Sequence, residues 1–199
     1  MKRFFDIVAS LIAIVVCGLL MAIIAVAIRM ESPGGAIFRQ RRVGWRGKPF
    51  YVLKFRTMRA DADPYGASPR SGEDPRLTRV GRLLREKSMD ELPQLFNVLA
   101  GQMSLVGPRP LYERQAELWD QRQRRRLEVR PGLTGYAQVY GRAAMAHEDK
   151  IELDLVYVER QGLLLDLKIL LTTVVGAFTG RGDIYERRYS RQKERECDS

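Results

Sequence analysis

Residues 7–28 read IVASLIAIVVCGLLMAIIAVAI, without one charged side chain. At a rise of about 1.5 Å per residue, a helix of this length reaches across a hydrocarbon core of about 30 Å. The run is too long for the h-region of a signal peptide, which takes about 7–15 apolar residues. It is also too uninterrupted for an ordinary core helix. The chain therefore carries a membrane element at its N-terminus. Lys2 and Arg3 precede it, and Arg29, Arg39, Arg41 and Arg42 follow it. Positive charge at both ends calls for both ends on the cytoplasmic side. A straight span cannot satisfy that, whereas a helix that enters and returns can, given a break near its middle. Gly18, beside Cys17, is the one candidate, and glycine is a weak breaker. On these grounds the spanning and re-entrant forms both stay open.

The 199 residues suffice for one domain with a substantial core. A formal charge of +10 asks for an anionic partner: nucleic acid, anionic lipid or a phosphorylated substrate. Cys17 and Cys197 form neither a disulfide framework nor a metal-ligand spacing. A single histidine, His147, excludes a multi-histidine zinc site, so a working metal should be a hard, oxygen-liganded cation such as Mg2+. His147 itself reads as a surface or loop residue.

Downstream, two β-type runs flank the turn Gly44–Lys48 and predict a hairpin that ends in Lys54 and Arg56. Residues 60–76, rich in Asp, Pro, Gly and Ser, predict a mobile loop. Helices are expected from Leu77 to Ser88, from about Asp90 to Leu99 before Gly101, from Leu111 to Val129, and over 148–160 and 162–179. The stretch VRPGLTGYAQVYGR (129–142) reads as a structured loop. In the last helix Asp166 and Lys168 leave too short an apolar remainder to cross a membrane, so it reads as interfacial or core. Residues 181–199 predict a disordered tail. The run QRQRRR (121–126) lacks interleaved aromatics, and beside a membrane anchor it reads as a face for anionic headgroups rather than nucleic acid.

The stretch SMDELPQL (88–95) sets Asp90 and Glu91 side by side in a basic chain. Acids suit a first helical turn, and Ser88 with Glu91 fits a capping box. Pro93 argues against Ser88 as the cap, because it would then fall inside the helix and delete a hydrogen bond. A start near Asp90 leaves Glu91 available for chemistry. Arg109 stands between two prolines in VGPRP, and Arg130 precedes one in VRPG, so both guanidinium groups leave stiff backbone. A rigid guanidinium fork suits phosphate oxygens. Lys54, Arg56, Arg85 and Arg142 are further cationic candidates. Acids that hold a cation and arginines that hold phosphates point to metal-assisted phosphoryl transfer. The alternative is a non-enzymatic, membrane-anchored basic module that binds nucleic acid or another anion. Such a binder has no use for Asp90, Glu91 and Asp166 beside its arginines.

SMDELPQLFNVLAGQMSLVGPRP, then VRPGLTGYAQVYGR and LLLDLKI, resemble the bacterial sugar transferases, the monotopic phosphoglycosyl transferases. The resemblance runs from KRFFDIV to about residue 180. It implies an enzyme that moves a phosphosugar from a UDP-sugar to polyprenol (undecaprenol) phosphate, releases UMP and starts glycan assembly. Asp90 would be the nucleophile that carries the phosphosugar, and Asp90 and Glu91 would hold Mg2+. Lys54, Arg56, Arg85, Arg109 and Asp166 fall in matching motifs around the active site, with Arg130 nearby. Gly135, Gln138 and Arg142 match the family's glycine- and arginine-containing loop. Two positions depart: Cys17-Gly18 stands where a Ser-Pro pair commonly breaks the membrane helix, and Gln102 replaces an acid, which removes a metal role there. The implied fold is α+β, mainly α. It comprises a re-entrant membrane helix (1–30), a catalytic domain with a short hairpin and amphipathic interfacial helices (31–180), and the tail (181–199). The implied partners are the UDP-sugar, the polyprenol phosphate and membrane lipids, without nucleic acid and with a homodimer left open. The implied place is the bacterial cytoplasmic membrane, with catalysis on its cytoplasmic face.

Overall fold

A computed structural model describes residues 1–63, 69, 74–141 and 145–179. It is mainly helical with short β elements, in line with the expected class. Helix α1 runs over Lys2–Glu31 and β1 over Ile37–Val43, followed by β2 over Pro49–Phe55. The two strands pair antiparallel, Ile37 opposite Phe55 and Val43 opposite Pro49, which is the expected hairpin. At its tip Arg46 and Gly47 take positive φ.

Helical hydrogen bonding in α1 passes unbroken through Cys17-Gly18, so the expected break is not there. With no proline and only one glycine, nothing in the sequence removes a backbone bond at that point. Among the described residues α1 is the only helix long and apolar enough to cross a membrane. One flank is open: Val15, Val16 and Leu19 are 75, 74 and 76 % exposed. The other packs on the body through Met21, Ile24 and Ile28.

Both ends of α1 are tied to that same body. At the start, Lys2 Nζ donates to Asp166 Oδ2 (2.5 Å), to Tyr157 Oη (3.1 Å) and to the Val106 carbonyl (3.1 Å). Arg3 donates to the carbonyls of Val98 and Leu99 at 2.6 and 2.9 Å. The buried Asp6 carboxylate accepts from Ser104 Oγ (2.8 Å) and the Leu105 amide (3.1 Å). At the far end, the Glu31 carboxylate accepts from the amides of Arg79 and Val80 at 2.6 and 2.8 Å. Those amides open α2 (Arg79–Glu86), where N–H groups lack helical partners and negative charge is favoured.

Thr78 caps α2 by accepting from the Gly81 amide, so that helix starts later than its apolar spacing predicted. The base of the expected loop 60–76 is clamped by the Arg59 amide bonding to the Arg76 carbonyl and by a bridge between Met58 and Leu77. Much of that loop, like the tail, lies outside the described residues. The helix expected to start near Asp90 does not. Met89–Glu91 form a 3₁₀ turn, and α3 spans Gln94–Leu99 behind Pro93. The single helix expected over 111–129 is divided into α4 (Glu113–Glu117) and a 3₁₀ segment, Gln123–Glu128. Asp120 and Gln123 cause the division, each side chain bonding the other's backbone amide and starting a new turn.

The expected loop 129–142 holds β4 (Gly132–Thr134) and α5 (Tyr136–Tyr140). Strand β4 pairs parallel with β3 (Ser104–Val106), Ser104 opposite Gly132 and Val106 opposite Thr134. Close backbone approach explains the glycines: a Cβ on Gly132 would lie 2.1 Å from the Gly107 amide nitrogen. Helices α6 (His147–Arg160) and α7 (Leu163–Thr179) fall where predicted. Helix α7 is inverted relative to a water-facing helix. It buries Asp166 and Ile169 while Leu163, Leu164, Leu167 and Leu171 are exposed.

Candidate active site

Strand β2 delivers Lys54, and Asn97 on α3 fixes what lies opposite. Its amide side chain accepts from the Leu53 amide (2.9 Å) and donates to the Tyr51 carbonyl (2.8 Å), clamping α3 to that strand. The 3₁₀ turn that precedes α3 is thereby held against Lys54. Ser88 enters this turn at φ 54°, in the left-handed region that costs a non-glycine residue about 1 kcal/mol or more. Its side chain makes no cap bond, in keeping with the argument from Pro93 against a capping box of Ser88 and Glu91.

Asp90 and Glu91 are both buried, at 3 and 9 % exposure. Glu91 Oε1 accepts from Lys54 Nζ (2.6 Å) and from Arg109 Nη2 (2.8 Å). Burial pushes the Glu91 carboxyl up, but the Arg109 guanidinium and the Lys54 ammonium prevail and hold it well below the usual range. Asp90 Oδ2 lies 4.0 Å from Lys54 Nζ. Asp90 and Lys54 line a cavity of about 560 Å³, the size of a small-molecule site.

Arg85, Arg109 and Gln138, all candidates from the sequence, also line that cavity. Arg56 lines it too, although its guanidinium donates to the carbonyls of Ser32 and Pro33 and so secures the loop after α1. Gly135 acts through backbone: a Cβ there would lie 2.2 Å from the Gly107 carbonyl oxygen. Glu91 is held behind Asp90 by Lys54 and Arg109 and is not on the cavity wall, and neither are Arg130 and Asp166. Arg130 donates to the Gly101 carbonyl (2.9 Å) and stacks on Trp45, its Cζ 4.4 Å from the ring centroid. Asp166 is the buried anchor of Lys2 and also accepts from Tyr157 Oη at 2.6 Å. The position of Arg142 lies outside the described residues. Gln102 accepts from Asn97 at 2.7 Å and supports the clamp.

The far wall was missed. His147, Lys150, Ile151 and Asp154, spaced i, i+3, i+4, i+7 on α6, line the cavity along one helix face. Arg126, read as part of a headgroup-facing run, is instead buried and donates through Nη2 to Asp154 (2.5 Å) and to the Arg109 carbonyl (3.1 Å). Its neighbours in that run, Arg122 and Arg125, pair with Glu152 and Glu159. Burial pushes the Asp154 carboxyl up, with Arg126 opposing, and burial with Arg126 pulls His147 down. The helical spacing of 147, 150, 151 and 154 was visible in the sequence; that this face lines the same cavity as Asp90 was not.

The bacterial sugar transferase family model matches residues 1–180. The chain belongs to this family. Over 182 residues this transferase is 43 % identical to the uncharacterized sugar transferase EpsL of Bacillus subtilis, covering 92 % of this chain and 89 % of that one. It is 44 % identical to the UDP-glucose:undecaprenyl-phosphate glucose-1-phosphate transferase of Caulobacter vibrioides, covering 89 % of this chain and 70 % of that one. A UDP-N-acetylgalactosamine-undecaprenyl-phosphate N-acetylgalactosaminephosphotransferase of Aeromonas hydrophila is also 44 % identical, and the transferase spans 44 % of its length.

The donor set can be weighed for magnesium. Among the described residues no cluster of three or more acids, histidines or cysteines could enclose an ion. Magnesium commonly takes one or two carboxylates and completes its shell with waters and substrate phosphates. Asp90 with Glu91 matches that pattern, since both cationic partners of Glu91 meet it on one oxygen, Oε1.

Proposed function

We propose that this sugar transferase moves a phosphosugar from a UDP-sugar to polyprenol phosphate, such as undecaprenol phosphate, in two displacements on Asp90. The observation that carries it is the buried Asp90 at the wall of a cavity of about 560 Å³, backed by the buried Glu91 to which Lys54 and Arg109 are bound. An Asp90 oxygen attacks the phosphorus that bears the sugar. The bond from that phosphorus to the bridging oxygen breaks, and UMP leaves with the oxygen. The polyprenol phosphate oxygen then attacks the same phosphorus, the bond to Asp90 breaks, and the carboxylate is restored. Lys54 and Arg109 hold Glu91 ionised and fixed beside Asp90, and Arg85 and Arg109 supply positive charge toward the diphosphate. Magnesium held by Asp90 and Glu91, when bound, would neutralise charge on the phosphate oxygens.

The membrane placement follows from α1. Lys2, Asp6 and Glu31 tie both of its ends to one body, so a perpendicular crossing would pull buried polar contacts into hydrocarbon. We infer that both ends of α1 stay on the cytoplasmic side, the unbroken helix lying in the cytoplasmic leaflet with its open flank toward lipid and the exposed leucines of α7 at the same interface. The cavity then faces the cytoplasm, where UDP-sugars are. Purified protein in nanodiscs with undecaprenyl phosphate, offered a panel of UDP-sugars, should release UMP with at least one of them, and only when the lipid phosphate or Asp90 can accept. No UMP from any donor sinks the proposal.

A further inference from the structure

Three side chains on the far wall of the cavity carry buried polar atoms that have no hydrogen-bond partner. Arg126 is 4 % exposed and leaves Nε and Nη1 unmet; Gln138 leaves Oε1 and His147 leaves Nε2. All three line the same cavity, Gln138 from α5 and His147 from α6. Buried polar groups without partners are costly unless something bound satisfies them. Arg126 also has its charge met by Asp154 at 2.5 Å. Nη2 is fully used by Asp154 and the Arg109 carbonyl, so the guanidinium is fixed in place.

A phosphate cannot fill this set, because it offers acceptors only and Gln138 Oε1 needs a donor. A neutral heterocycle that alternates carbonyl and N–H groups can. We propose that Arg126, Gln138 and His147 form the subsite for the uracil ring, with Arg126 donating to ring carbonyls and Gln138 Oε1 accepting the ring N–H. This rests on the proposed use of a UDP-sugar and adds which residues select its base. Cytosine would turn a ring lone pair toward Gln138 Oε1, and unmatched polar groups of that kind discriminate strongly. Arg126 links the two walls: the group that holds the base also holds the Arg109 carbonyl, behind the side chain that binds Glu91.

The test is calorimetric titration of full-length protein in nanodiscs with UMP, CMP and pyrophosphate. Wild type should bind UMP roughly 10-fold or more tightly than CMP. Gln138→Leu and His147→Phe should erase most of that preference and raise the UMP Kd by a similar factor, while the pyrophosphate Kd stays at the wild-type value and reports an intact acid wall. Arg126→Met strands Asp154 and is useful only if its pyrophosphate binding survives. Equal UMP and CMP affinities in wild type, no UMP binding, or variants that bind UMP as wild type does, would each overturn the subsite. UMP release in turnover, measured separately, divides the two ideas. Release with variants unchanged in UMP binding removes the subsite alone. Base discrimination through these residues without release from any UDP-sugar removes the transfer reaction alone.

Discussion

Glu91 Oε1 is shared by Lys54 and Arg109, which makes this carboxylate the electrostatic centre of the acid wall. Its folded-state pKa lies below the ordinary value of 4.5. On acidification the unfolded chain therefore takes up the proton first. The stability that Glu91 contributes is complete above the ordinary value and is lost as pH falls below it. Thermal unfolding in nanodiscs should show a smaller drop between pH 6 and pH 4 for Glu91→Gln than for wild type; equal drops would place the acid sensitivity elsewhere. Asp90→Asn should remove turnover while UMP binding and membrane association persist, because the amide is isosteric but cannot attack phosphorus. A pure Asp90→Asn enzyme with substantial activity would rule out the nucleophile. Arg109→Lys keeps the charge and loses the planar fork, and kcat/KM should fall about 10²–10³-fold. Wild-type kinetics in that variant would mean that the guanidinium geometry is idle. The candidacy of Asp90, Glu91, Lys54 and Arg109 was legible because chemistry is written in residue type and in flanking proline. The role of Arg126 was hidden, since a run of arginines looks the same whether it faces lipid or is buried by a carboxylate 28 residues on.

At the level of elements, α1 is held to the body by charge pairs as well as by apolar packing. Asp166 receives Lys2 and the Tyr157 phenol, and burial pushes that phenol's pKa up, so it stays a donor. Asp166→Ala strands Lys2, Tyr157 and the start of α1. Lys2 is 33 % exposed, so the loss should be about 2–3 kcal/mol, below the roughly 3–5 of a fully buried pair. Tyr157→Phe should cost about 1 kcal/mol. Unfolding midpoints in nanodiscs measure both, and a neutral Asp166→Ala would reject the anchor. Gly135→Ala should damage stability and activity together, because the new Cβ would overlap the Gly107 carbonyl at 2.2 Å and push β4 off β3. Soluble, active Gly135→Ala protein would show that this junction yields. The parallel pairing of β3 and β4 could not be read beforehand. Each strand is three residues long, and their period is drowned by the surrounding glycines and prolines.

For the whole molecule the sharpest question is which side of the bilayer each end of α1 occupies. A cysteine placed ahead of Met1 spares Lys2, and Pro33→Cys marks the other end, in a background lacking Cys17 and Cys197. Both should react with an impermeant thiol reagent from the same side of oriented vesicles. Opposite-side labelling would replace this one-sided placement with a span. The sequence by itself determined a long apolar N-terminal helix, a hairpin, the last two helices and an acid pair among stiffly mounted arginines. Those features rest on hydrophobic periodicity, turn chemistry and residue type, which act over a few neighbouring positions. Only the tertiary structure decided that α1 is continuous and tied at both ends, that Asp166 and Arg130 serve the scaffold, and that one face of α6 closes the cavity opposite Asp90. Each of those is a contact between residues far apart in the chain, from Lys2 with Asp166 to Arg126 with Asp154. Such contacts are chosen by burial and charge pairing across the folded body, which no local window of sequence records.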